Sequence, residues 1–270
     1  MGSNTRLGIC SVVSVLILLM ISPTVYNIDT MLQAQVITDR LVSAYWFMNT
    51  SCVDFTYGGH FNEHDRFGTP TTRAKRLKTE SKIIIGTLDF YNITRDPEVL
   101  SHAIDTFYTI ESNMRNLNHT YNPRMAEDWS SAIISNSRTI DNSFFIRALV
   151  LLYEHTGNRT YYQTAVWLMS FISYFHRNAA YGGYHIEVDE FGNPNFYYYP
   201  YGMLPGLVAL AAGSLPSVEP RNTSFLDELN YALNFAYDEY WELPRGVIVM
   251  ATHPKQQSIK VGNPSGFNRL

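Results

Sequence analysis

The sequence predicts an all-α fold built from antiparallel helical hairpins, and two observations support this prediction. A short motif occurs twice, as YGGHFNEHDRFGTP at residues 57–70 and as YGGYHIEVDEFGNP at residues 181–194, an offset of 124 residues. Between the two copies, LDFYNITRDPEVL and LVLLYEHTGNRTYY superimpose through Tyr91 and Tyr153, an offset of 62 residues. Similarity at a fixed spacing indicates stacked repeats. Each repeat of about 62 residues contains two helices.

The repeated motif itself is predicted to form a short β-hairpin in each copy. Its paired glycines allow backbone angles that other residues resist. The later D-x-x-G segment is typical of a tight turn, which Asp opens and Gly closes with a positive φ. The fold is therefore all-α with short β-hairpins in its long loops.

Seven helices are predicted from the spacing of apolar residues and from their boundary signals. Asp96 is a suitable N-cap, Pro97 suits a first helical position, and Gly157 is a suitable C-terminal residue. The predicted ranges are about 34–48, 72–92, 97–114, 141–156, 161–176, 202–212 and 225–240.

The lengths of the connections predict where a functional site lies. Helices joined by short turns are antiparallel, so the short turns gather at one end of the fold. The long connections gather at the other end, over residues 53–72, 115–134, 178–200 and from 241 onward. The segment 115–134 stands where a third hairpin would fall, but it lacks the motif. Loops on a rigid scaffold commonly carry function, so this end is the candidate site.

Composition excludes some classes of function. The chain has 270 residues and a formal net charge of −4, which argues against a nucleic-acid binder. It has two cysteines, and one of them lies in the apolar N-terminal run, so no internal disulfide is expected. His60 and His64 are spaced as a possible metal pair, but no third ligand of the expected kind is nearby. We therefore expect neither a metal nor a cofactor.

The first 30 residues are predicted to be a signal peptide or an N-terminal membrane anchor. Arg6 precedes an apolar run over residues 7–21. Five N-x-S/T sequons follow, which suits an exported glycoprotein. They begin at Asn49, Asn92, Asn118, Asn158 and Asn222. The expected location is extracytoplasmic, either secreted or anchored to the membrane, with a folded domain over residues 31–270.

The motif GG-x-F-x-E-x-D-x-x-G-x-P, followed by K-R-L and a helix ending in LDFYNITRDPEVL, resembles the N-acylglucosamine 2-epimerase family. More loosely, it resembles the six-hairpin glycosidases. The likeness covers roughly residues 40–200. It implies an (α/α)6 toroid that epimerises sugars with a pair of histidines. At the place of an H-x-H motif of that family, this chain has Asn142 and Phe144.

The number of repeats predicts an incomplete toroid. Six units would need about 370 residues, whereas this chain has room for about four. An open array exposes apolar helix flanks at its ends, so we expect a partner subunit or further C-terminal repeats. The expected ligand is a carbohydrate substrate or glycan.

The candidate catalytic residues are the carboxylates Asp141, Glu127 and Asp128. Asp141 opens a helix at the long-loop end, where the helix dipole would keep it ionised as a base or nucleophile. A simple helix N-cap is the alternative. Glu127 and Asp128 lie in the segment that lacks the motif, and either could supply an acid. A glycosidase would need two such carboxylates about 5–9.5 Å apart.

The candidate substrate-binding residues are charged or aromatic side chains of the same loops. Glutamates of the motif can reach a cleft, an arginine at a helix start suits an acidic partner, and aromatic rings can stack on sugars. They are His60, Glu63, Arg76, Trp129, Glu187, Tyr199 and Tyr201. Three functions stay open: a sugar epimerase or isomerase, a glycoside hydrolase with paired carboxylates, and a non-catalytic glycan-binding or scaffold protein.

Overall fold

The computed structural model describes residue 33 and residues 35–116, 119–178, 182–189, 191–194, 203–218, 225–242 and 247–248. The predicted N-terminal signal or anchor, the sequons at Asn118 and Asn222, and the candidate residues Tyr199 and Tyr201 lie outside the described residues. The chain divides into two compact units, Met1–Asn49 and Thr50–Leu270.

Helix α1 covers residues 35–50 and contains the described residues of the first unit from residue 35 to Asn49. Along this helix Tyr45 is buried, whereas Trp46 leaves 60% of its surface exposed. The two rings meet edge to face with centroids 6.2 Å apart. None of the helices in the described ranges is both long and apolar enough to cross a membrane.

The described residues of the second unit contain six α-helices, and the first four of these follow the predicted 62-residue period. Helices α2 and α4 begin, and also end, 62 residues apart. A five-residue π-helical turn, Ile172–His176, continues α5. The helices are α2 (Leu77–Thr94), α3 (Pro97–Asn113), α4 (Thr139–Thr156), α5 (Arg159–Phe171), α6 (Met203–Val218) and α7 (Leu226–Tyr240).

The short turns between paired helices repeat in their caps. Asp96 accepts a hydrogen bond from the N–H of Glu98, and Asn158 accepts one from Thr160 in the same way. Gly157 ends α4 with φ 68°, in the left-handed region that glycine tolerates best. At the equivalent position Arg95 ends α2 with φ 55°. The backbone geometry therefore repeats even where the residue type does not.

The helices form two layers around one apolar core. Helices α2, α4 and α6 are successive neighbours, and each packs against the outer helix that follows it, α3, α5 or α7. Phe107 of α3 meets Phe145 of α4 and Tyr161 of α5, with ring centroids 6.4 and 4.7 Å apart. The predicted all-α fold is confirmed: the described residues contain three helical hairpins of an incomplete (α/α)6-type toroid.

Short strands connect the helices at the long-loop end. Pairs β1–β2, β6–β7 and β8–β9 are antiparallel, and β3, β4 and β5 form a three-stranded sheet. The strands are β1 (Glu63–His64), β2 (Pro70–Thr72), β3 (Lys75–Arg76), β4 (Arg124–Met125), β5 (Ala132–Ile134), β6 (Ser137–Arg138), β7 (Glu187–Val188), β8 (Trp241–Glu242) and β9 (Val247–Ile248).

Residues 115–134 lack the sequence motif as predicted, but β4 and β5 form a third hairpin there, so the expectation of only two hairpins is corrected. The N–H of Ala126 donates to the Ser131 carbonyl at 2.8 Å, and this bond closes the turn. Trp129 has φ 63°, close to the 85° of Gly68 in the first copy. A non-glycine residue holds the left-handed position, so the sequence motif disappeared while the backbone geometry remained.

Candidate functional site

The loop-bearing end of the second unit carries the candidate residues, and we call it the rim. It comprises the described residues of three equivalent segments, 53–80, 115–142 and 177–194, which lead into or pack beside the starts of α2 and α4. Strand β3 leads directly into α2, and β6 leads directly into α4. Side chains on these strands and on the first helical turns are therefore held by regular backbone.

Asp141 lies in the first turn of α4 and is only 7% exposed. One of its carboxylate oxygens accepts a hydrogen bond from the backbone N–H of Lys78 at 3.3 Å. Burial raises the pKa of Asp141, and this effect outweighs the opposing charges of Arg138, Lys78 and Arg76. The expectation of a carboxylate kept ionised by the helix dipole is therefore corrected, because burial dominates. A carboxyl group with a raised pKa is suited to carry a proton.

The neighbouring positions Asn142 and Phe144 contain no titratable group. Asn142 is fully buried, and its side-chain N–H donates to Ser137 Oγ at 2.7 Å. Phe144 receives the ammonium group of Lys82 on its ring, 4.9 Å from the centroid. Among positions 141, 142 and 144, Asp141 is therefore the titratable side chain.

Glu127 and Asp128 make contacts within their own hairpin or with a neighbouring loop. Glu127 forms an ion pair with Arg73 at 2.8 Å. Asp128 accepts hydrogen bonds from the backbone N–H and the hydroxyl of Ser130, at 3.1 and 2.7 Å. These bonds lower the pKa of Asp128, the hydroxyl contributing most. These contacts hold both carboxylates at the third hairpin. None of them connects Glu127 or Asp128 to Asp141.

Trp129 links the third hairpin to the first. Its indole N–H donates to the carbonyl of Tyr57 at 2.8 Å, and its ring covers Gly59. A Cβ at Gly59, which has φ +68°, would lie 2.6 Å from the Trp129 ring and 2.9 Å from a carboxylate oxygen of Glu80. Only glycine fits this position, which explains one of the paired glycines in the motif.

Two buried hydrogen-bonded pairs of side chains lie beneath the first hairpin. His60 donates its backbone N–H and its ring Nδ1 to the two oxygens of Glu80, each at 2.7 Å. Lys75 donates to Asp54 at 2.7 Å, and both side chains are buried. Lys75 also lies over the ring of Phe61, 4.6 Å from the centroid. His60 therefore anchors the first hairpin to helix α2 through Glu80. Its partner Glu80 was not predicted from the sequence.

Charged pairs line the strands of the rim. Arg138 Nε donates to Glu187 Oε1 at 2.7 Å, and Arg138 Nη2 donates a second hydrogen bond to the same oxygen. Arg76 Nη2 lies 3.8 Å from a carboxylate oxygen of Glu63. Glu63 is instead bonded to the hydroxyl of Thr72 at 2.8 Å. The predicted binding residues Glu63, Arg76 and Glu187 therefore lie on the strands of the rim.

His176 connects the π-helical turn after α5 to the start of α4. Its two ring nitrogens contact the hydroxyls of Ser137 and Thr139, at 3.1 and 2.7 Å. Burial lowers the pKa of His176 to about 3, so the ring is neutral at pH 7. In the part of the chain that the structure describes, no three or more of His, Cys, Asp and Glu gather as metal ligands.

No protein-family model matches the sequence. A curated relative, the cellobiose 2-epimerase of Ruminococcus albus, is 27% identical over 131 residues, which cover 44% of this chain and 33% of the relative. The chain therefore spans about a third of the length of the curated relatives it matches.

Solved structures of sugar-processing proteins share the fold. A cellobiose 2-epimerase from Bacillus thermoamylovorans B4167 has a TM-score of 0.66 at 14% identity, covering 77% of this chain and 58% of that one. A D-mannose isomerase has a TM-score of 0.66 at 16% identity, covering 77% and 54%.

A family 76 glycoside hydrolase, a mannosidase from Bacteroides thetaiotaomicron VPI-5482, has a TM-score of 0.57 at 12% identity, covering 80% and 61%. At these identities the likeness shows the fold. The chain is accordingly a partial match to the α/α toroids of the N-acylglucosamine 2-epimerase type and of the six-hairpin glycosidases.

Proposed function

We propose that this chain processes carbohydrate at the rim, by proton transfer at a sugar carbon in the manner of a sugar epimerase or isomerase. The sequence likeness to a cellobiose 2-epimerase and the fold shared with a cellobiose 2-epimerase and a D-mannose isomerase support this reaction class. One observation assigns the proton transfer to a particular side chain. Asp141 is a buried carboxyl group with a raised pKa at the loop-bearing end of the toroid.

The chemistry needs a group that can both take and return a proton. In its ionised form, the Asp141 carboxylate removes the proton from the carbon next to the sugar carbonyl. The electron pair of that C–H bond then forms a double bond to the carbonyl carbon, and the carbonyl π electrons move to oxygen, which gives an enediolate; the proton is later returned to carbon. The positive charges of Arg138 and Arg76 act on Asp141 and stabilise its ionised form. Asp141 supplies one of the proton carriers that inversion at a carbon requires.

A glycoside hydrolase is the second candidate, since a family 76 hydrolase shares the fold. That reaction requires two carboxyl groups about 5–9.5 Å apart, one of them protonated. Glu127 and Asp128 are occupied by Arg73 and Ser130, and bonds from Ser130 lower the pKa of Asp128. The epimerase or isomerase reaction, which needs no paired carboxylates, is therefore favoured.

Deuterium exchange distinguishes the alternatives. The full chain is incubated in D₂O with glucose, mannose or cellobiose, and proton NMR follows the signal at C2. We expect exchange at C2 in at least one sugar, loss of that exchange in Asp141→Asn, and unchanged exchange in Asp96→Asn, a matched substitution at an outer helix cap. Release of a sugar from an oligosaccharide without exchange would indicate a hydrolase. Binding with neither reaction would indicate a glycan-binding protein.

We also propose that the chain is exported. Among the described sequons, Asn92 and Asn158 are exposed at the short-turn end, away from the rim strands, so glycans there leave the rim accessible. Treatment of the native protein with a glycosidase specific for N-linked glycans tests this. We expect a lower apparent mass after treatment, and a native protein that is unmodified and cytosolic would refute it.

A further inference from the structure

Two equivalent strand pairs of the rim differ in the residue that faces an arginine. Arg76 and Arg138 lie 62 residues apart, and each directly precedes an inner helix. In the β6–β7 ladder, Arg138 lies directly opposite Glu187. In the β3–β4 ladder, Arg76 lies directly opposite Arg124. One ladder therefore pairs opposite charges, and the other places two like charges side by side.

The hydrogen bonds follow the same division. Arg138 Nε donates to Glu187 at 2.7 Å. The Nε atoms of Arg76 and Arg124 are both buried, and neither has a hydrogen-bond partner among the described residues. The nearest acidic contact of Arg76 is the 3.8 Å approach of Nη2 to Glu63. The β3–β4 ladder thus has two guanidinium groups and lacks the carboxylate that its counterpart contains.

This arrangement is unfavourable without an anion. Like charges directly opposite on neighbouring strands repel, and a buried donor without a partner loses the hydrogen bond that water would provide. A carboxylate or a phosphate between the two guanidinium groups relieves both costs, because the planar fork of arginine matches either group bidentately. In the β6–β7 ladder, the carboxylate of Glu187 accepts the hydrogen bonds of Arg138, so that arginine has an anion within the chain.

We propose that Arg76 and Arg124 bind the anionic group of an acidic sugar, either a carboxylate or a phosphate. This inference rests on the proposed carbohydrate function and specifies its substrate class. Arg76 is also one of the charges that act on Asp141.

Binding measured by calorimetry on the full chain tests the proposal with three ligands: glucuronate, glucose 6-phosphate and glucose. We expect at least one acidic sugar to bind about tenfold or more tightly than glucose, as a hydrogen bond to a charged group provides. Arg76→Gln and Arg124→Gln should each remove this preference. Arg66→Gln, an exposed hairpin arginine, removes the same charge and should leave the preference unchanged.

Arg124→Glu is a further variant that separates binding from folding. It recreates the Arg–Glu pair of the β6–β7 ladder, so it should melt at or above the temperature of the native chain. At the same time its own carboxylate should exclude the acidic ligand and remove the preference for acidic sugars.

The outcomes separate this inference from the proposed function. Equal binding of glucose and the acidic sugars, or a preference that survives in Arg76→Gln and Arg124→Gln, overturns the acidic-sugar inference while carbohydrate processing stands. Failure of all three sugars to bind, together with no exchange at C2, overturns both.

Discussion

The carboxylate of Glu80 accepts two hydrogen bonds from one residue, His60, through its backbone N–H and its ring Nδ1, each at 2.7 Å. Glu80 belongs to inner helix α2, and His60 begins the first hairpin of the rim. Because the carboxylate accepts at Nδ1, the ring proton is fixed on that nitrogen. The pair therefore attaches the hairpin to the helix, and it determines how the loop is presented.

We expect Glu80→Gln to lower the free energy of unfolding by about 1.5–3 kcal/mol, because a buried hydrogen bond to a charged group is lost. Chemical denaturation measures this change. Glu154→Gln, an exposed carboxylate of α4, is the matched control and should stay within about 0.5 kcal/mol. Equal unfolding midpoints for the native chain and Glu80→Gln would contradict the structural role of the pair.

Lys75 and Asp54 form the second buried pair, at 2.7 Å. We expect Lys75→Met to lower the free energy of unfolding by about 3–5 kcal/mol, because it leaves the Asp54 carboxylate buried without its cation. The double variant Lys75→Met/Asp54→Asn removes that charge and should recover part of the loss, since the amide oxygen of the substituted side chain can still accept from the N–H of Thr56. A double variant no more stable than the single one would refute this explanation.

His176 predicts an acid-dependent loss of stability. Its pKa is lowered from 6.5 to about 3 in the folded chain, so between these values the unfolded chain binds more protons. Its contribution to stability is therefore complete above pH 6.5, and it is lost as pH falls toward 3, by about 1.4 kcal/mol per pH unit. Denaturation across this range should show a shallower acid dependence for His176→Gln. An unchanged slope would show that other groups cause the acid loss.

Asp141 predicts the pH dependence of turnover. Burial raises the pKa of this carboxyl group, so activity should rise with pH through a value above the ordinary 3.8 as the base form appears. Arg138→Gln removes a positive charge that lowers the pKa of Asp141. The rising limb of the plot of kcat/KM against pH should therefore shift to higher pH in this variant. Arg66→Gln, which lies away from Asp141 in the sequence and is exposed, serves as control and should leave the limb in place. A limb that Arg138→Gln does not move would argue against Asp141 as the titrating group.

Much of the fold follows from local signals in the sequence. The 62-residue offset, the cap residues Asp96 and Gly157, and the paired glycines predicted the helical hairpins and two of the β-hairpins. Arg95 and Trp129 hold left-handed positions that escaped prediction, because each stands where an equivalent repeat has glycine. In both places the surrounding repeat imposes a positive φ, so the residue type at that position does not predict the backbone angle.

The sequence by itself determined the repeat, the all-α class and the end of the fold on which the long loops lie, since these depend on spacing and on turn chemistry close in the chain. Only the tertiary structure decided the state of each site residue. The partners of His60 and Lys75 lie 20 and 21 residues away in sequence, and Arg124 faces Arg76 across a strand ladder. Asp141 has a raised rather than a lowered pKa because packing buries it, and burial depends on side chains that are distant in sequence.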